Sequence, residues 1–347
     1  MGQVDIRPAD LDADRELLIE LLRKYSTARS NHERYRWFYQ DNPHGPAEVL
    51  IARDSQTQAV IGSGAVIPRS MWVGGAPRLA SVMADFWIHP EHRSLGPAVR
   101  LQQACVAHSA ALGFAFFDLP QGNMSAVYKR MGMLGGATLA QFSRPLRAGP
   151  FIEKIVRGRL LTRLLEKTGD GVIGLLDAVK ERKHGLHVER HDDGFGPEFD
   201  LLMQRVASTA GICVARSADY LEWRYRRHYY LQYSVFTARD AGELRAYAVV
   251  GNSGSYAEIV DLFPVDDTQS VVDLLLGVVR LTRAEGASAL ALSLLAPSGK
   301  IEAAFKQVGL RIREFRPLIV HEFPPPESAK SGECRESWFL TYGDVDY

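Results

Sequence analysis

The chain of 347 residues is written twice, and this repeat restricts its fold more than any single motif does. ERYRWFYQDNP at 33–43 resembles DYLEWRYRRHY at 219–229, setting Trp37 over Trp223 and Tyr39 over Tyr225 at an offset of 186 positions. Ala52-Arg53-Asp54 and Ala238-Arg239-Asp240 follow at the same offset. Further on, Asp85 in VMADFWIHP matches Asp261 in EIVDLFPVD, and AVYKRMGM at 126–133 matches AAFKQVGL at 303–310. The offset there has fallen to 176 and 177, so the second copy has a shorter hairpin where the first reads RSMWVGGAPR. Four matches in one order require a duplicated unit.

Each unit reads as mixed α and β. In the first, 3–7 is a strand, 14–25 carries apolar residues at helical spacing, and 32–41 is a second helix stopped by Pro43 and Gly45. Strands follow at 49–53, 59–68 and 79–89, then a helix at 97–113, a strand at 114–119 and a helix at 123–131. Strand, helix, strand over 79–119 implies two parallel strands joined by a crossover. The expected organisation is a first unit at 1–147, a helical connection at 148–190, a second unit at 191–323 and a linker with an acidic tail at 324–347. The segment 151–184 is basic and amphipathic. It reads as a connecting helix packed on both units, with contact to an anionic membrane surface as the alternative.

The 41 basic and 41 acidic residues leave a formal net charge of zero, which argues against a dedicated nucleic-acid binder. With 46% hydrophobic and 24% charged residues the chain has the composition of a soluble globular protein. Its three cysteines, Cys105, Cys213 and Cys334, form no CxxC pair, which fits reduced thiols and a cytoplasmic location. No signal peptide is read at the N-terminus, and no apolar run approaches the ~18 residues of a membrane span. No metal site is expected: His184, His187 and His191 read as a polar loop.

The chemistry concentrates in the loop after the long strand, His89-Pro90-Glu91-His92-Arg93-Ser94-Leu95-Gly96-Pro97-Ala98. Gly96 lets the backbone approach a ligand, and the following helix offers unpaired N–H groups at its positive end. Arg93 adds a charge at the mouth. Such a loop suits a pyrophosphate, although Pro97 supplies no N–H.

Arg93, Gly96 and Ala98 together resemble the acyl-CoA signature of the GNAT (GCN5-related) N-acetyltransferases, Arg/Gln-x-x-Gly-x-Gly/Ala. Asn123, Tyr128 and Gly132 stand at that family's usual distance beyond it. The resemblance covers most of 3–146, and a degenerate version covers about 192–322. It implies an α/β fold of two tandem GNAT-like units and an N-acyltransferase that uses acetyl-CoA or another acyl-CoA without a metal. By resemblance, amides near Ile88 and His89 hold the pantetheine arm and the thioester. The amides of Ser94, Leu95, Gly96, Pro97 and Ala98 with Arg93 hold the pyrophosphate, Pro97 contributing only its fixed backbone. Asn123 helps fix the cofactor arm, or caps its helix. Tyr128 protonates the leaving thiolate, and Asp85 is the expected base, with Asp118 the other candidate. Cys105 lies inside a helix, so direct transfer in a ternary complex is expected.

The second copy has lost this equipment. Val265-Asp266-Asp267-Thr268-Gln269-Ser270-Val271 has no Arg-x-x-Gly and places acids where phosphates would sit, and Phe305 replaces Tyr128. Because Asp261 survives there, both Asp85 and Asp261 also admit a structural role. Trp223 through Arg227 read either as contacts to a small-molecule or sugar-amine acceptor, or as a core Trp223 beside solvated arginines. The acidic tail offers attraction for a cationic amine. The alternatives are an inactive CoA-binding or regulatory module, and a Fem-like peptidyltransferase of the cell envelope, against which the CoA loop argues.

Overall fold

A computed structural model describes residues 4–73, 75–93, 95–133, 137–149, 168–171, 173–175, 177, 185–206, 211–264, 267–295, 299–321 and 338–345. The first copy runs β1 (Val4–Pro8), α1 (Arg15–Tyr25), α2 (His32–Tyr35), β2 (Glu48–Asp54), β3 (Val60–Val73), β4 (Ala76–Ile88), α3 (Leu95–Ala111), β5 (Ala115–Asp118), α4 (Met124–Arg130) and β6 (Ala137–Pro145). The second runs β7 (His187–His191), α5 (Pro197–Val206), β8 (Ile212–Val214), α6 (Ala218–Leu221), β9 (Tyr233–Asp240), β10 (Glu243–Ser253), β11 (Tyr256–Phe263), α7 (Thr268–Ala284), β12 (Ala289–Leu295), α8 (Gly299–Val308) and β13 (Arg311–His321). A last strand, β14 (Trp338–Phe339), comes from the tail. Most of 151–184, with His184, lies outside the described residues.

The strands form one sheet in the order β1-β2-β3-β4-β5-β13-β6-β12-β11-β10-β9-β7. Because β7, β9, β10, β11, β12 and β13 repeat β1 to β6, this order is a palindrome about the β13–β6 pair. The last strands are exchanged. β13 pairs with β5 of the first copy through Ile319↔Asp118, and β6 pairs with β12 of the second through Ala289↔Pro145 to Leu295↔Leu139. Each half of the sheet thus contains a strand from the other copy, and the second copy begins at β7, four residues before the expected start at 191.

The shorter second hairpin is also present: β3 and β4 have 14 and 13 residues, β10 and β11 have 11 and 8. β3 continues past Pro68, where the sequence reading stopped. β2 ends opposite Val66, so the donor that proline lacks is not needed on that side. The extension binds the copies together, since Met71–Val73 pair antiparallel with β8.

One face of the sheet carries a single core that crosses the repeat. It joins Leu18, Leu22 and Phe38 of the first copy to Phe199, Tyr220 and Tyr247 of the second. At its centre α2 and α6 each run on into a π-helical turn, Arg36–Gln40 and Glu222–Arg226. There the indoles of Trp37 and Trp223 stack with centroids 5.0 Å apart, and each Nε1 donates to the other's carbonyl at 2.9 Å. Equivalent residues of the repeat thus bond reciprocally, as an approximate two-fold axis requires. The other face has two separate cores, under α3 and α4 and under α7 and α8.

Of the arginines after Trp223, Arg227 is solvated and the other two are tied down. Arg224 is 1% exposed and donates to the carbonyls of Gly343 and Val345, while Arg226 donates to those of His191 and Asp193. The described part of the tail, 338–345, is likewise internal. Leu295 N–H donates to Leu340 O at 2.8 Å, and Asp344, 1% exposed, takes Arg216 at 2.7 Å. Asp344 therefore neutralises a buried arginine and is not available to attract an amine.

Candidate active site

The site begins where two parallel strands part. β4 and β5 pair only through Ala80↔Ala115, Ser81↔Phe116 and Val82↔Phe117, after which β4 continues from Met83 to Ile88 with no β5 partner. The divergence opens a cleft of about 320 Å³ between the end of β4, the start of α3, and α4. Of the residues expected from the sequence, Ile88, Arg93, Ala98 and Asn123 line it. Tyr25, Phe86, Trp87, Gln121 and Met124 line it as well and were not foreseen. The only available signal for Tyr25 and Trp87 was an aromatic at a helix end and on a strand, which reads as core.

The mouth of the cleft is the turn Pro90–His92 followed by α3. Arg93 is exposed and donates from Nε to the Ile88 carbonyl at 3.1 Å, which ties the guanidinium to the end of β4. A β-carbon added at Gly96 meets no atom within 4 Å, so the loop here faces open space. His89 packs edge-on against Tyr25 at 5.1 Å, and its Nδ1 accepts from Glu91 N–H at 3.3 Å. Ser94 and the side chain of Leu95 lie outside the described residues, and Pro97 sits in the first turn of α3. Asn123 occupies the N-cap position of α4 but makes no side-chain capping bond, so its amide is left toward the cleft.

The floor of α3 explains two other glycines. A β-carbon at Gly62 would lie 2.7 Å from Ile88 Cδ1 and Trp87 O, and one at Gly64 would lie 2.9 Å from Cys105 Sγ. Only glycine lets α3 and β4 approach β3 this closely. Cys105 is buried, and burial pushes its thiol up to about 12, which excludes it as a thiolate nucleophile.

Tyr128 does not line the open cleft. It is fully buried; its hydroxyl accepts from Gln102 Nε2 and donates to Asp118 Oδ2, both at 2.7 Å. Burial and then the Asp118 carboxylate hold its pKa well above the usual phenol range. The structure thus joins Tyr128 with the second base candidate, Asp118.

Asp85 stands at a β-bulge, where Asp85 and Phe86 together oppose Gly64, and it takes φ +48°. Its side chain, 5% exposed, accepts from Arg34 Nη1 and Nη2 at 2.8 Å each and from the Tyr39 hydroxyl at 2.7 Å. Asp261 repeats the arrangement. It lies at a bulge in β11 and accepts from Arg216 at 2.9 Å and from Tyr247 at 3.1 Å. Both aspartates clamp a bulge to a buried arginine; three donors occupy the Asp85 carboxylate, and Asp85 does not line the cleft.

In the second copy the corresponding gap between β11 and β12 is filled by the chain's own tail. Thr341 bridges to Leu294, and its hydroxyl donates to Asp261 at 3.1 Å. A β-carbon at Gly343 would collide with the Tyr225 hydroxyl and the Val260 carbonyl, so this residue must be glycine. Loss of the Arg-x-x-Gly loop is thus accompanied by loss of the space.

No family model matches the chain, and no curated protein matches it in sequence. Solved structures do match in fold. A GCN5-related N-acetyltransferase from Anabaena variabilis superposes with a TM-score of 0.63 at 15% identity, over 92% of this chain and 72% of that one. A probable N-acyltransferase from Enterococcus faecalis superposes with a TM-score of 0.62 at 12% identity, over 92% and 71%. The N-myristoyltransferase of Saccharomyces cerevisiae, crystallised with myristoyl-CoA, gives 0.56 at 11% identity, over 100% and 90%. The chain has the fold of the GCN5-related N-acetyltransferases, built from two copies of the unit.

Proposed function

We propose that the chain transfers an acyl group from acyl-CoA, acetyl-CoA being the simplest donor, to an amine by direct attack. The observation that carries this reading is the parting of β4 and β5 with Arg93, Gly96 and the start of α3 at its mouth. The residues fit the donor. The positive end of α3 and Arg93 suit a pyrophosphate, open space at Gly96 admits it, and the largely apolar walls suit a pantetheine arm. When bound, acyl-CoA supplies a thioester whose C–S bond breaks as the new C–N bond forms.

In this reading Arg93 anchors the donor, Ile88 and Asn123 position the arm, and Tyr128 with Asp118 handles the protons. Asp85 shapes the bulge that holds β4 away from β5. A second reading, a CoA-binding module without turnover, is favoured by one observation: the Tyr128 hydroxyl is engaged by Gln102 and Asp118 and does not line the cleft.

Calorimetric titration with CoA and a thiol-release assay on a panel of amines separate these readings. Gly96→Leu is the decisive variant, because its side chain enters space that no protein atom fills. The variant is expected to fold as the wild type does and to bind CoA at least about tenfold more weakly, the equivalent of 1.4 kcal/mol. Equal binding by both proteins removes the loop from the site. Binding without thiol release on any amine supports the module.

A further inference from the structure

We propose that the indole N–H of Trp87 donates a hydrogen bond to a carbonyl oxygen of the acyl-pantetheine arm; this rests on the acyl-CoA reading. Trp87 lies on β4, beyond the bulge, and lines the cleft. It is 3% exposed, and its Nε1 is buried without a hydrogen-bond partner. Trp37 and Trp223, equally deep, each give their Nε1 a carbonyl at 2.9 Å. Buried donors without acceptors are rare, since folding strips their water and returns nothing, and one carried by a residue that lines a cleft calls for an acceptor there.

The ring is held for this purpose. Tyr25 stacks on Trp87 with centroids 4.8 Å apart and planes 17° from parallel, and His89 packs edge-on against Tyr25. The indole cannot turn its N–H elsewhere without breaking that stack. Indole is a neutral donor that accepts nothing. An ammonium group, which only donates, finds no partner in it, and a phosphate is better served by Arg93 and the start of α3. A neutral acceptor remains, and the arm offers it as an amide or thioester carbonyl. The neighbouring walls, Phe86, Ile88 and Met124, are apolar, so such a bond forms with little competition from water.

Trp87→Phe keeps an aromatic ring against Tyr25 and deletes the N–H. Calorimetry on the full chain with CoA and with acetyl-CoA should show affinity falling about 2- to 12-fold, the range for one neutral hydrogen bond. The ligand-free variant should melt somewhat lower, because a phenyl ring fills less of the space the buried indole occupies, so affinities are compared at a temperature where both proteins are fully folded. An equal loss for both ligands assigns the bond to a pantetheine amide; a loss confined to acetyl-CoA assigns it to the thioester. Unchanged affinities in a variant of a CoA-binding wild type overturn the inference alone. A wild type that binds neither ligand overturns the acyl-CoA reading and this inference with it. NMR of the wild type gives a reading independent of the variant's folding: the Trp87 indole proton should move downfield on CoA addition, and an unmoved resonance in the CoA-bound protein counts against the bond.

Discussion

Replacing Asp85 by Asn tests whether this aspartate is a base or a clamp. The substitution keeps the shape of the side chain but removes its charge and puts an NH₂ group where one carboxylate oxygen accepted. Arg34, with 6% of its side chain exposed, then keeps its charge without its bidentate partner, and the Tyr39 hydroxyl competes for one remaining oxygen. Breaking one side of a buried ion pair costs about 3–5 kcal/mol. That is a large part of the ~5–15 kcal/mol by which a typical domain is stable, so Asp85→Asn should be marginally folded and its urea midpoint should drop sharply. Asp261→Asn is the internal control. Its carboxylate is 1% exposed and takes Arg216, but in a copy whose gap is filled by the tail and whose arginine also has Asp344 as a partner. Urea unfolding of both variants, with thiol release corrected for the folded fraction, should show destabilisation of both, smaller for Asp261→Asn because Asp344 still neutralises Arg216, and little change in the turnover of folded molecules. An Asp85→Asn protein as stable as the wild type, with turnover lost and the acidic limb of its pH–rate profile gone, would refute the clamp and restore the base.

Tyr128→Phe is expected to lower turnover by about 10²–10⁴-fold if the phenol is the general acid; unchanged turnover with about 1–3 kcal/mol lost in urea unfolding assigns it instead to holding Asp118 and Gln102. The fold should also be sensitive to alkali. Burial holds the phenols of Tyr39, Tyr128, Tyr225 and Tyr247 well above their usual range. Their contribution is therefore full below the unfolded value near 10 and is lost as pH rises beyond it toward the folded values, at about 1.4 kcal/mol per pH unit for each. Circular dichroism should decay together with the appearance of phenolate absorbance; phenolate forming in a still-folded protein would contradict the burial.

The elements of the first copy were readable because each carries one period along its length. Leu18, Ile19 and Leu22 share a helix face, and the strands from Glu48 onward keep their apolar residues together between turn signals. What the sequence hides is pairing at a distance. β6 and β13 have the same alternation whichever neighbour they join, so nothing in 137–145 or 311–321 announces the exchange. Arg34 and Asp85 are separated by 51 positions, and only the fold shows that they neutralise each other. The loop from His89 to Ala98 could be read because its chemistry is local: glycine, arginine and a helix start lie within a few residues. Trp87 could not, since an indole whose N–H lacks an acceptor looks, in sequence, like one that has it.

The exchange also explains why a copy without its own cofactor cleft is retained. β5 pairs with β4 just where the cleft begins, and its far edge is covered by β13, which the second copy supplies. β3 is extended by β8, and the core beneath α1 and α2 is closed by Trp223 and its neighbours. Removing the second copy would leave β5 as an unpaired edge beside the cleft and expose the Trp37 indole, so the first copy has no complete sheet of its own. The tail that enters the second copy's gap adds to these contacts, since β14 pairs with β8 and Trp338 packs edge-on against Phe117 of β5. The filled gap puts Asp344 against Arg216 and leads the chain to Arg224, which stacks its guanidinium over Trp37 at 5.8 Å. The tail is thereby part of the axis that holds the working half in shape.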